Sequence, residues 1–269
     1  MSRLVAIALL VGACRVDMAP DRDPPAVNPV YEWSFALEQV VSESGRVDYD
    51  RLAEQRDVLE AYVAWLSQVE TPQADHNRTA LWLNARSAFA LYAALEVQPL
   101  PSLRDLPASG PWLGDPFTTQ LQFELGRDRL SLSQIEHSYL RYRVQDPRLF
   151  AALAEGRYSG PPVRPGMYMP HSIDEELDQM NRWWLNDAER GVQLVDGVAV
   201  FPAELVAAAD DIFRWTPGQD LCTFASQYVA EPLASDLSAL SQAGCPHRSA
   251  VVDERLNHET RPDRVRHPL

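Results

Sequence analysis

Residues 130–148 hold the densest group of charged side chains at defined spacing in this chain: Glu136, His137, Arg141, Arg143, Asp146 and Arg148. Two kinds of chemistry suit those residue types. Glu136 and His137 are candidate acid–base groups, and they would serve a hydrolase or transferase that holds an anion on arginine. Adjacent residues on an α-helix point about 100° apart, so these two do not form a facing pair there. His137 and Arg141, spaced i, i+4, do face together. With Asn84 and Arg148 they would make a ligand-binding cluster for a carboxylate or phosphate held by bidentate arginine contacts. Local structure supplies a competing account. Ser133 and Glu136 have capping-box spacing, Asp146-Pro147 reads as a helix cap followed by a first-turn proline, and arginines commonly neutralise buried carboxylates.

Composition removes several other chemistries. All 24 basic side chains are arginine and none is lysine, so no Schiff base to a carbonyl or to pyridoxal phosphate can form. The lysines of phosphate-binding loops and of kinases are missing for the same reason. No Gly-x-Ser-x-Gly, His-Glu-x-x-His or Gly-x-Gly-x-x-Gly pattern occurs. The six histidines show no ligand spacing on one helix, so no metal and no cofactor is expected. A net charge of −14 argues against nucleic acid as a partner, because phosphate neutralisation needs a basic face.

The N-terminus reads as an export signal over residues 1–13. Arg3 supplies the positive start, and residues 4–13 form an apolar run too short to span a bilayer. The run ends Val11-Gly12-Ala13-Cys14, which resembles a bacterial lipobox with Cys14 as the lipidated residue. Arg15 follows where an aspartate would retain a lipoprotein at the inner membrane. The expectation is an exported protein held by a lipid anchor at the periplasmic face of the outer membrane. Residues 14–29, with Pro20, Pro24, Pro25 and Pro29, read as a flexible tether. In an oxidising envelope the remaining cysteines, Cys222 and Cys245, are most simply a disulfide.

The positioning elements follow from periodicity. Helices are predicted over 30–43, 48–68 and 77–97, the last two with apolar stripes at helical spacing. Pro99, Pro101 and Pro107 then break the chain into turns. Leu121, Phe123 and Leu125 alternate, and turn through Gly126 toward Leu130 and Leu132 as a hairpin. A second hairpin pairs Val192 and Leu194 with Val198 and Val200 across Asp196-Gly197. Between the hairpins lie a helix from Asp146 to Gly156, a Pro/Gly-rich loop over 157–170, and a helix capped by Ser172 with Glu175. Pro202 opens a helix through Phe213, and 219–243 is helical in two pieces split at Pro232. Trp112, Trp183, Trp184, Tyr158, Tyr168 and Met169 invite a ligand groove beside the loop, or serve as core and loop packing. The fold class is α+β, helix-dominated, with two short β-hairpins contributing to a small antiparallel sheet. One domain spans 30–257, and 258–269 form a loose tail.

The ordered set Gly45-Arg-Val-Asp-Tyr-Asp-Arg-Leu52, Leu81-Trp-Leu-Asn-Ala85, Leu130-Ser-Leu-Ser-Gln-Ile-Glu-His137, Asp146-Pro-Arg148, Pro161-Pro162 and Arg255-Leu-Asn257 resembles the family catalogued as domain of unknown function 547. The resemblance implies no established activity. It also shows departures. Where the family usually reads Trp-Ile-Asn-x-Tyr-Asn, this chain has Trp82-Leu-Asn84-Ala-Arg86-Ser87. After Asp-Pro-Arg the family has Ile-His-Phe-Ala, a cysteine and then Cys-Pro. This chain has Leu149-Phe150-Ala151-Ala152, Glu155 and Gly160-Pro161. The family's histidine and both cysteines are therefore absent. That favours a non-catalytic binding or structural module, with a protein or small-molecule partner that the sequence does not name.

Overall fold

The structure is a computed structural model and describes residues 15–97 and 115–259. The export signal, Cys14, the prolines at 99–107, Trp112 and residues 260–269 lie outside the described residues. The architecture is helix-dominated α+β, as the periodicities predict.

The centre is α4 (Asp75–Glu96). Nearly every residue from Thr79 to Leu95 is buried, polar Asn84 and Arg86 included. A helix buried on all sides is wrapped by its neighbours. α1 (Val30–Val40), α2 (Tyr49–Glu54) and α3 (Arg56–Leu66) pack around it through Trp33, Leu37, Leu59, Tyr62 and Leu66. The single helix predicted over 48–68 is in fact two, broken at Gln55. Asp48 caps the first, accepting from Arg51 N at 3.0 Å.

After the short α5 (Pro116–Thr119) comes the first hairpin, β2 (Leu121–Leu125) and β3 (Asp128–Leu130), with Phe123 opposite Leu130. The second is β4 (Gln193–Val195) and β5 (Val198–Phe201). Its turn residues Asp196 and Gly197 both have positive φ, 53° and 76°, as the Asp-Gly signal requires. The expected single antiparallel sheet is corrected to two small mixed sheets. Each hairpin gains a parallel third strand, β1 (Val16–Asp17) on β2 and β6 (His247–Ser249) on β5.

β1 lies within the segment read as a tether, and hydrogen bonds from and to that segment tie it to the domain. Met18 N donates to Gln122 O at 2.8 Å, Arg22 donates to Asp57 O and Gln68 to Pro25 O. A proline-rich segment cannot form helix, but its free carbonyls and an exposed strand edge suffice to lay it along the domain.

The C-terminal half continues through α8 (Ile173–Leu185), α9 (Ala203–Ala207), α10 (Ala209–Trp215), α11 (Leu221–Ser226) and α12 (Leu233–Gln242). Cys222 and Cys245 form a disulfide, S–S 1.99 Å, joining α11 to the turn before β6. At the end of the domain Asn257 is fully buried, and Glu259 N donates to Val47 O at 2.8 Å. This returning strand matters for function, because Asn257 N also donates to Gly156 O and Tyr158 N to Arg255 O, both at 2.8 Å. It thereby holds the segment from which Glu155 and Arg157 project. Gly156 has φ +81°, and a Cβ there would stand 3.0 Å from the Tyr49 hydroxyl. Only glycine suits that close approach.

Candidate functional site

The helix carrying Glu136 and His137 starts two residues earlier than its serines suggested. Ser131, not Ser133, is the N-cap of α6 (Leu132–Gln134): Gln134 N donates to Ser131 Oγ at 3.2 Å, and the Gln134 side chain accepts from Ser131 N at 2.9 Å. Ser-x-x-Gln at 131–134 and Ser-x-x-Glu at 133–136 are both valid boxes. Strand β3 ends at Leu130, which gives the earlier frame the extended residue that a cap needs. Glu136 is thereby released from capping.

Residues Ile135–Arg141 then wind as a π-helix, continuing into α7 (Tyr142–Val144). Such segments are uncommon and concentrate at functional sites. The wider turn puts Glu136 and Arg141 on one face, with Arg141 Nη1 3.3 Å from Glu136 Oε1. The remainder of the Arg141 guanidinium donates to Asp211 on α10. His137 donates through Nδ1 to Ser133 O at 2.9 Å, and its Nε2 meets Arg141 Nη1 at 3.1 Å. A carbonyl facing Nδ1 and a guanidinium facing Nε2 select the tautomer with its proton on Nδ1. The Nε2 lone pair is thus already engaged.

Sequence reasoning missed the group at the centre of this array, Arg86 on α4. It is 1% exposed. Its Nη2 donates to Glu136 Oε2 at 2.8 Å and to Glu155 Oε1 at 2.6 Å, and its Nη1 to Ala154 O at 3.3 Å. The signal was present in the departures from the family pattern. Arg86 and Glu155, two of the positions where the resemblance implies a departure, are ion-paired to each other. Arg157 extends the array to Asp115, to Glu155 Oε2 at 3.4 Å and to Glu254 at 3.2 Å.

Part of this array lines a cavity of about 210 Å³, with Arg86 behind its wall. Its wall includes Glu136, His137 and Arg141 from the π-helical segment, Phe150, Glu155, Arg157 and Gly160 from the chain that follows, and Glu204 from α9. Burial holds the Glu155 carboxyl above the ordinary carboxylate range, against the pull of Arg86 and Arg157 and with help from Glu136 and Asp115. Burial likewise raises Glu204. The Oε2 of Glu204 is buried without a hydrogen-bond partner among the described residues.

The other predicted ligand groups lie elsewhere. Asn84 clamps the backbone of Tyr168, donating to its carbonyl and accepting from its amide, both at 2.8 Å. It pins the Pro/Gly-rich loop to α4. Arg148 is taken up by Asp146, Asp174 and Asp178. Neither residue is on the cavity wall, so Asn84, Arg148, Arg141 and His137 do not converge. Asp146 does cap its segment, accepting from Arg148 N at 2.8 Å, but Pro147–Ala152 is a 3₁₀ rather than an α-helix. The box expected at Ser172 and Glu175 does not form. Ser172 is the N-cap residue of α8 but makes no side-chain cap bond, and its hydroxyl donates to Glu176, which also accepts from Met169 N. Among the aromatics, Trp184 and Tyr168 are buried in the core. Tyr158 lies between the guanidinium groups of Arg46 and Arg255. Trp183 and Met180 line a second, more open cavity of about 920 Å³. The cysteine–aspartate group Asp220, Cys222 and Cys245 is compact enough to suggest a metal site. Its thiols are consumed by the disulfide, however, and Asp220 caps α11.

Comparison with curated proteins and with solved structures finds no match. Residues 71–185, which carry every wall group named above except Glu204, match the model of the family described as protein of unknown function, DUF547.

Proposed function

We propose that this is a lipid-anchored cell-envelope protein whose domain is a non-catalytic binding module, with the 210 Å³ cavity as its ligand site. One observation carries the reading. The positions where the family pattern has its histidine and two cysteines are Phe150, Glu155 and Gly160 here, and all three line this one cavity. Where the family resemblance implies thiols and an imidazole, this pocket presents an aromatic ring, a salt-bridged carboxylate and a glycine. His137, the one imidazole on the wall, is held between Ser133 O and Arg141. A wall with no thiol, its imidazole engaged and its arginines held in ion pairs suits binding better than turnover.

The anchor rests on Val11-Gly12-Ala13-Cys14. An outer-membrane address follows from Arg15 by analogy with lipoprotein sorting. With residues 15–18 bound to β2, a lipid on Cys14 would hold the domain close against the bilayer.

The test is native mass spectrometry of protein extracted from its own envelope in mild detergent. A stoichiometric small molecule that is recovered unchanged after prolonged incubation, and lost on Glu155→Gln substitution, is the expected result. Multiple turnover that depends on Glu136 and His137 would replace this reading with the hydrolase or transferase. Intact mass tests the anchor separately, through an acyl adduct that disappears in Cys14→Ser.

A further inference from the structure

Each guanidinium at the cavity already holds carboxylates. Arg86 is forked between Glu136 and Glu155, Arg141 is bound to Asp211 and Glu136, and Arg157 is bound to Asp115, Glu155 and Glu254. On the wall and directly behind it, six carboxylates (Glu136, Glu155, Glu204, Asp115, Asp211, Glu254) therefore stand against three guanidinium groups. An incoming anion would have to displace a buried ion pair and enter a field of its own sign. Arg86 Nε and Arg157 Nε are buried without a hydrogen-bond partner among the described residues, but each belongs to a guanidinium already ion-paired to carboxylates. Glu204 differs from the other five acids, since its Oε2 is buried, has no such partner and is ion-paired to no arginine among the described residues. An unpaired buried acceptor is stabilised by any donor that reaches it.

We infer that the cavity binds a compact organic cation, a guanidinium or ammonium group on a short stem, with Glu204 as its principal acceptor beside Glu155. The inference rests on the binding reading above and names the ligand class for that site. Phe150 and Leu153 give the stem an apolar wall. The volume of about 210 Å³ falls below the roughly 300–1,000 Å³ of pockets that hold drug-sized ligands, so the ligand is small. Arg141 already covers the Phe150 ring, 5.3 Å from its centroid, so the ligand is held by charge and hydrogen bonding rather than by stacking.

A consequence is proton release. Burial keeps the Glu155 and Glu204 carboxyls above their ordinary range. The groups facing them are Arg86 from α4, Arg157 and Glu254 from the flanking segments, Asp115 before α5, and Glu136 from the π-helical segment. A bound cation favours the ionised form of both acids. Protons therefore leave as it enters, and affinity for a permanently charged cation rises with pH.

The experiment is isothermal titration of the purified protein with methylguanidinium, acetate, acetamide and inorganic phosphate at pH 5 and pH 8, in buffers of differing ionisation enthalpy. Methylguanidinium is expected to bind, more tightly at pH 8, with protons passed to the buffer. Glu204→Gln is expected to weaken it about tenfold or more, the loss of one hydrogen bond between charged groups, with a melting temperature that does not fall. If Glu155→Gln does not fold, Glu204→Gln decides alone. Preferential binding of acetate, phosphate or acetamide overturns the ligand class and leaves the binding site standing. Cation binding indifferent to Glu204→Gln also overturns it. Failure of all four probes, together with envelope-extracted protein that carries no small molecule, removes both the ligand class and the binding reading.

Discussion

Arg86→Met tests whether one buried arginine organises the cavity wall. The side chain of Arg86 is 2% exposed, and those of its partners Glu136 and Glu155 are 15% and 19% exposed. Methionine fills most of the volume but leaves two carboxylates facing each other without their shared cation. Glu136 retains Arg141 at 3.3 Å and Glu155 retains Arg157 at 3.4 Å, contacts longer than the 2.8 Å and 2.6 Å that are lost. Removing one partner of a buried ion pair destabilises by about 3–5 kcal/mol, and the surviving contacts place this case near the lower end. Glu155→Gln in the same background removes one of the stranded charges. The double variant should therefore be more stable than the sum of the two single changes by about 1–3 kcal/mol.

The pH dependence has a definite sign. The folded Glu155 carboxyl already titrates above its ordinary value of 4.5. Its contribution is thus fully present below about pH 4.5 and is lost as pH rises through the folded value. Arg86 is the strongest influence opposing that rise, so Arg86→Met extends the loss to higher pH. Urea unfolding at pH 5 and pH 8 should show the larger deficit at pH 8. A deficit under about 1 kcal/mol, or one equal at the two pH values, would refute the idea that Arg86 is the counter-ion on which the wall depends.

Further substitutions separate the remaining roles. Ser131→Ala should cost about 1 kcal/mol by urea unfolding and Ser133→Ala within about 0.5; the reverse order would restore the later helix start. Asn84→Ala removes both hydrogen bonds to Tyr168 and should lower stability by about 1–3 kcal/mol. Hydrogen exchange should quicken in residues 157–170 while cavity binding is kept. Reducing the Cys222–Cys245 bond, which closes a loop over a sequence separation of 23, should remove on the order of 3 kcal/mol on the chain-entropy view, read as a fall in the urea midpoint. Asp220 is held below its ordinary 3.8: burial pushes it up, but the Thr223 amide and the Ser241 hydroxyl outweigh burial. Its stabilisation is present above about pH 3.8 and lost as pH falls through the lowered value, so Asp220→Asn should flatten the acid limb of a stability–pH curve.

Patterns that depend on near neighbours were readable in the sequence. The Asp196-Gly197 hairpin, the cap at Asp146, the stripe of α4 and the two-piece helix around Pro232 each rest on residues within one or two turns. Readings failed where two local solutions were equally good or where the partner was remote. Ser131 and Ser133 offer alternative frames, and only the end of β3 chooses between them. Residues 15–29 have no helical or strand period of their own, yet the edge of β2 pairs with residues 16–18. Asn84 and Arg148 were credible ligand groups by type, but Tyr168 and the acidic face of α8 claim them. The candidate site was half legible. Glu136, His137 and Arg141 were singled out, whereas Arg86 and Glu204 lie 50 and more residues from them and belong to no local motif.

The two departures at 86 and 155 are best read as one change. A carboxylate introduced at 155 alone would sit on a poorly solvated wall beside Glu136 and Asp115, which both disfavour its charge. An arginine introduced at 86 alone would bury a guanidinium within α4, where one exposed surface in a hundred remains. Either single step costs several kcal/mol, while the pair at 2.6 Å satisfies both. Tyrosine and cysteine, which the family resemblance implies at these positions, would leave the wall uncharged there. Here it is a charged lattice in which Glu204 Oε2 is buried without a hydrogen-bond partner among the described residues, as are Arg86 Nε and Arg157 Nε. Back-substitution makes the argument quantitative. Arg86→Tyr and Glu155→Cys should each destabilise the protein, and together should recover much of the loss. If the double variant instead loses the sum of the two, the residues vary independently and the pocket was not rebuilt around a new charge pattern.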